Sequence, residues 1–185
     1  MTPSKKTGRE GLSRLLQNIA VAVTVALIFS QLYSPRKING LSMFPAIEND
    51  DRIFICTLAC SNRPLQRGDI VVIKPPHQDD GREFVKRIVG LPGEMIEIKN
   101  GRAIVNGSQL AEPYAYFDFP YGRDWRDAIP LRLGDGKYFV MGDNRNNSND
   151  SRVFGAIEGK DIRGVVAVFY WPPEKFLKKP ALPYR

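Results

Sequence analysis

Residues 15–33 limit this chain more than any other stretch. The centre of the run, Ile19 to Phe29, holds only Ala, Val, Ile, Leu and Phe with one Thr, and Gln17, Asn18 and Gln31 sit near its ends. At 1.5 Å per residue a helix of this length reaches roughly 28 Å, close to the hydrocarbon thickness of a bilayer. A buried core helix would carry polar residues along one face, and this one does not. A cleaved leader would have a shorter apolar core and small residues at its exit. The exit here is Gln31-Leu32-Tyr33-Ser34-Pro35. The expected organisation is an arm at 1–14, a membrane anchor at 15–33 and a folded unit at 34–185.

The net charge of +7 raises the question of a nucleic-acid partner. Six basic residues against Glu10 put +5 of it within residues 1–37. The remaining chain is nearly neutral, so no basic face for DNA or RNA is expected. Lys5, Lys6, Arg9 and Arg14 precede the apolar run, which predicts a cytoplasmic N-terminus and places everything after residue 35 outside the cytoplasm.

Beyond the anchor the pattern is β. Short runs rich in Val, Ile, Phe and Tyr lie at 51–60, 69–74, 83–89, 95–99, 103–105, 137–141 and 164–171. Turn residues separate them, and Asn100-Gly101 and Asn106-Gly107 are strong hairpin signals. The expected fold is mainly β: a barrel-like or sandwich core of antiparallel or mixed sheet, with a small inserted lobe at about 98–136. Residues 111–130 read as an irregular excursion.

Two cysteines, Cys56 and Cys60, are too few for a metal site. An oxidising compartment would allow a local disulfide, but a strand through both would hold the sulfurs too far apart, so two small buried hydrophobes are expected. No metal or cofactor is implied. The sole histidine, His77, lies in the polar stretch PPHQDDGRE and reads as a solvated loop residue, so a hydrolase would need another base.

Ser42, in INGLSMFPA, follows a glycine, Gly40, in an apolar setting; alone it reads equally as a buried or turn serine. Lys86 lies within EFVKRIVG. On an alternating strand it shares a face with Phe84 and Ile88, while Arg87 lies on the other. Desolvation lowers a lysine pKa and can make the amine a base toward a serine hydroxyl. A lysine whose stem packs on apolar neighbours explains the same stretch. GDNRNNSNDSR, residues 142–152, is either a plain polar turn or a buried network that holds other side chains.

Together these stretches resemble the bacterial type I signal peptidases. SMFP at 42–45, GDIVVIKPP at 68–76, KRIVGLPGE at 86–94 and GDNRNNSNDSR at 142–152 follow that family's boxes in order. VNG at 105–107, EPY at 112–114 and YWPP at 170–173 also fit. The resemblance implies a Ser42 nucleophile and a Lys86 general base. Ser148 would bond the lysine amine, and Asp150 with Arg152 would support the site. Ile38, Met43, Phe84 and Val85 would wall the pockets for small residues at −1 and −3 of a secretory preprotein. Gly40 stands where some members carry a serine, which leaves the oxyanion to backbone donors, mainly the Ser42 amide. Ala46 stands where threonine is commoner. The implied partners are preproteins and the bilayer, and a monomer is expected. Self-cleaving repressors share a Ser-Lys dyad but carry a DNA-binding domain where this chain has its apolar run. A membrane-tethered, catalytically dead binding domain is the other alternative.

Overall fold

The structure, a computed structural model, describes residues 6–57, 63–76, 81–117 and 127–178. His77 and Cys60 lie outside the described residues, as does 118–126 of the expected excursion.

Helix α1, Lys6–Leu32, contains the apolar run. Its Leu15, Leu16, Val21, Val25 and Ile28 are all exposed, so no face of it packs into a protein core. It is the one helix among the described residues long and apolar enough to cross a membrane. Tyr33 belongs to the following strand rather than to the helix.

Strands β1 (Tyr33–Lys37), β2 (Arg52–Thr57), β3 (Ile70–Ile73), β4 (Phe84–Gly90), β9 (Lys137–Met141), β10 (Ile157–Glu158) and β11 (Ile162–Trp171) form one sheet. Its order is β1-β2-β11-β3-β4-β9-β10. Strands β5 (Met95–Lys99), β6 (Arg102–Val105), β7 (Ser108–Gln109) and β8 (Ala128–Arg132) form a second, in the order β7-β6-β5-β8. All the strand pairings are antiparallel. Asn100 and Gly101 both take positive φ between β5 and β6, as Asn106 and Gly107 do between β6 and β7, so each Asn-Gly makes a tight hairpin turn.

Both faces of the central strands are covered. Ile70 and Val72 join one apolar cluster with Ile38, Met43, Ile47, Ile53, Ile55 and Phe169. Val71 and Ile73 point the other way, into a cluster with Ile88, Val140 and Ile162. A third cluster, including Val89, Ile96, Ile98, Leu133 and Phe139, joins the two sheets. This is the mainly β architecture that the pattern predicts.

Three expectations change. Residues 33–37 and 128–132 are strands although each contains a proline, Pro35 and Pro130. Each is the outer strand of its sheet, where a missing N–H costs no ladder bond. Cys56 is disulfide-bonded, not a free apolar filler. The expectation assumed a strand running through Cys60, but β2 ends at Thr57.

Candidate active site

Ser42 sits on the loop between β1 and β2. The loop folds onto itself through Ile47 N to Met43 O at 2.9 Å and Asp50 N to Ile38 O at 2.9 Å. Its base is pinned by the C-terminal turn: Lys175 Nζ lies 2.9 Å from the buried Asp51 carboxylate, which accepts from Glu48 N at 2.8 Å. Met43 and Ile47 anchor the loop in the core below. The hydroxyl is thereby presented by a turn with little freedom.

Across from it, β4 carries Lys86, in register with Val71 of β3. Lys86 Nζ stands 2.8 Å from Ser42 Oγ and 3.0 Å from Val85 O. The Phe84 ring lies 5.2 Å from the amine. Lys86 is 3% exposed. Burial pushes its pKa down from 10.5 to about 8, helped by Arg152 and opposed by Asp150 and Asp143. A base of this strength is partly neutral near neutral pH and can accept the serine proton.

The segment after β9 supports both groups. Asn144 N donates to Ser42 O at 3.1 Å, and Asn144 Nδ2 donates to Leu41 O at 3.2 Å. Gly142 is required by close approach: a Cβ there would collide with the Ser148 side chain and the Ser42 carbonyl. Three buried arginine–carboxylate pairs fix this segment. Arg87 meets Asp143 at 2.6 and 2.8 Å, Arg145 meets Glu112 at 2.6 Å, and Arg152 meets Asp150 at 2.7 Å. Arg145 also donates to Gly101 O and Gly142 O, tying the small sheet to the site. Burial alone would raise the Asp150 carboxyl, but Arg152 and the Gly142 amide hold it below the usual range. Burial wins at Asp143, which is raised despite Arg87.

A cavity of about 260 Å³ opens beside Ser42 and Lys86, and Ile38, Met43, Phe84 and Val85 all line it. Gly40, at φ +114°, bends the chain into the nucleophile turn and donates to Asn49 Oδ1 at 2.8 Å. The Ser42 amide makes no hydrogen bond to any described residue.

Three points depart from the sequence reading. The expected bond between Ser148 and the lysine amine is not formed: Lys86 Nζ bonds Ser42 Oγ and Val85 O, while the buried Ser148 hydroxyl helps to hold the Asp150 carboxyl down. The hydroxyl is held against Gly142 instead. Arg87 is as buried as Lys86, because Asp143 and Gly68 O satisfy it. Alternation puts the two on opposite faces, but both faces are covered here. Asn144 carries no distinguishing mark in the sequence. Its place in a run of asparagines hides it, and only the tertiary contact with Leu41 and Ser42 sets it apart.

A serine hydroxyl held against a buried amine beside an apolar cleft, on a curled antiparallel sheet, is the arrangement that a serine hydrolase needs. The model of the signal peptidase family, peptidase S26, matches residues 12–171. The chain belongs to that family, and it is a serine peptidase of the type I signal peptidase kind. It is 37% identical over 164 residues to signal peptidase I S of Bacillus subtilis, covering 83% of this chain and 86% of that protein. A probable signal peptidase I-1 of Synechocystis is 36% identical over 166 residues, covering 85% of this chain and 82% of that protein. Signal peptidase IB of Staphylococcus aureus is 33% identical over 173 residues, covering 86% and 89%. A solved signal peptidase I from Enterococcus faecalis is 32% identical, with a TM-score of 0.46 over 57% of this chain and 98% of that one.

Proposed function

We propose that the chain removes N-terminal signal peptides by attack of Ser42 on the scissile carbonyl, with Lys86 as general base and then as general acid. The observation that carries this reading is the 2.8 Å approach of the buried Lys86 amine to Ser42 Oγ. The amine takes the hydroxyl proton as the Oγ–C bond forms. It returns that proton to the leaving amine, and the mature chain departs. Water, losing a proton to the Lys86 amine, then attacks the acyl carbon; the Oγ–C bond breaks, Lys86 returns that proton to Ser42 Oγ, and the signal peptide leaves as the acid. The unbonded Ser42 amide is the natural donor to the oxyanion.

The substrate is proposed to lie on β4 as an added strand. β9 pairs with β4 only over Arg87–Gly90. Ile88 N and O bond toward Asp69 and Gly68. Strand alternation then turns Val85 N–H and C=O to the opposite edge, where β9 does not reach. That open edge lies beside the apolar cleft, which suits small side chains at −1 and −3. Helix α1 would span the membrane with its basic arm inside, and the sheet domain, 34–185, would work outside, with residues at about 98–136 as its inserted lobe. The exposed Leu41 beside the nucleophile would then face the bilayer from which substrates emerge.

Ser42→Ala and Lys86→Ala should each abolish cleavage of a preprotein in detergent while circular dichroism stays unchanged. Cleavage by either variant at more than about a thousandth of the wild-type rate would end the dyad reading.

A further inference from the structure

The cleft has a feature that the dyad does not use. Arg36 and Glu83 line it together with Ser42 and Lys86. Arg36 Nε donates to Glu83 Oε2 at 2.9 Å. Arg36 belongs to β1 and Glu83 immediately precedes β4, and three strands separate β1 from β4 in the sheet. The pair therefore does not run along the sheet. It crosses the gap between the two walls that the curl brings face to face.

The arginine is held in place for this. Its Nη1 donates to Ser34 Oγ at 2.6 Å and to Pro35 O at 3.1 Å. The side chains are 38% and 30% exposed, so the pair adds little to folding. Its effect lies in where it stands. Glu83 is three residues before Lys86, roughly 10 Å along an extended strand. Between them the cleft is lined by Ile38, Met43, Val72 and Val85. A substrate strand added parallel to β4 on the Val85 edge, with its scissile carbonyl at Ser42, would set its −1 side chain by the dyad and its −3 side chain toward Arg36 and Glu83.

Resting on the peptidase reading above, we infer that the Arg36–Glu83 ion pair is a crossbar that closes the outer end of the cleft and restricts the substrate residue at −3 to a small one. Selectivity at −1, next to Ser42 and Lys86, is set by other side chains. The two positions are thus separately encoded.

The test uses the full chain in detergent and matched peptide substrates carrying Ala or Leu at −3, and Ala or Leu at −1. Arg36→Ala, Glu83→Ala and the charge-swapped Arg36→Glu/Glu83→Arg variant are compared with wild type. Each single variant should raise the Leu-to-Ala ratio of kcat/KM at −3 at least tenfold and leave the ratio at −1 within threefold. The charge swap should return the −3 ratio toward the wild-type value. An unchanged −3 ratio in the single variants, or an equal change at −1, overturns the crossbar. Failure of the wild type to cleave the Ala substrate would instead overturn the peptidase reading itself.

Discussion

Lys86 is held where an ammonium is costly. Its amine has no carboxylate within hydrogen-bond reach and spends its bonds on Ser42 Oγ and Val85 O. With the pKa lowered to about 8, the competent base is the deprotonated form. The kcat/KM for a soluble peptide should therefore rise with pH and level off above about 8; a plateau already reached at pH 6 would contradict a lysine base. The same shift has a consequence for stability. Below pH 8 both folded and unfolded chains carry the proton, and the cost of burying the ammonium is present in full. Between 8 and 10.5 the folded state releases the proton first, so stability rises with pH. Lys86→Met should accordingly stabilise the fold at pH 7 by roughly 3 kcal/mol, an advantage that fades toward pH 10.5. Urea unfolding of the two proteins at pH 7 and pH 10 checks both the sign and the fading.

At the scale of elements, the site is a meeting of three pieces: the nucleophile loop, the lysine strand β4 and the segment after β9. The last acts through buried ion pairs rather than apolar packing. Arg145 and Glu112 are buried, with side chains 0% and 1% exposed, and Arg145 reaches both Gly101 of the small sheet and Gly142 of the site. Glu112→Ala would strand a buried guanidinium. The expected loss is about 3–5 kcal/mol, measured by denaturant unfolding; a loss under 1 kcal/mol would mean that Arg145 finds water or another partner. Asn144 couples the pieces directly, since one residue holds two successive carbonyls of the nucleophile turn.

For the whole molecule, helix α1 and the sheets are nearly separate structures. Phe29 stacks on Tyr33 at 4.8 Å and meets Phe54 edge-on, and these rings account for much of the contact at the helix end. The three apolar clusters contain no residue of α1. A chain beginning at Tyr33 should keep its fold, judged by a single cooperative thermal transition, and should cleave soluble peptides within a few-fold of the full protein. Its cleavage of membrane-embedded preprotein should fall at least tenfold. Removing residues through Lys37 is a different matter, because it deletes β1 and one wall of the cleft.

What the sequence determined by itself were the features that local physics decides. The apolar span follows from length and composition. Both Asn-Gly hairpins follow from residues that accept positive φ, and strands such as 95–99 and 137–141 from alternation or density of β-branched and aromatic residues. Ser42 and Lys86 were legible as candidates, though each read singly as structural until the ordered boxes joined them. Tertiary structure decided the rest. The edge positions that tolerate Pro35 and Pro130, the burial of Arg87 beside Lys86, the Asn144 tether and the Arg36–Glu83 crossing all depend on which strands become neighbours. Ser148 shows the same limit: its place in the motif suggested a bond to the amine, but its position against Gly142 leaves the amine to Ser42 and Val85. Local signals act over a few residues, whereas the Ser42–Lys86, Arg36–Glu83 and Asn144–Leu41 contacts join residues 44 to 103 positions apart, and only closure of the sheet brings them together.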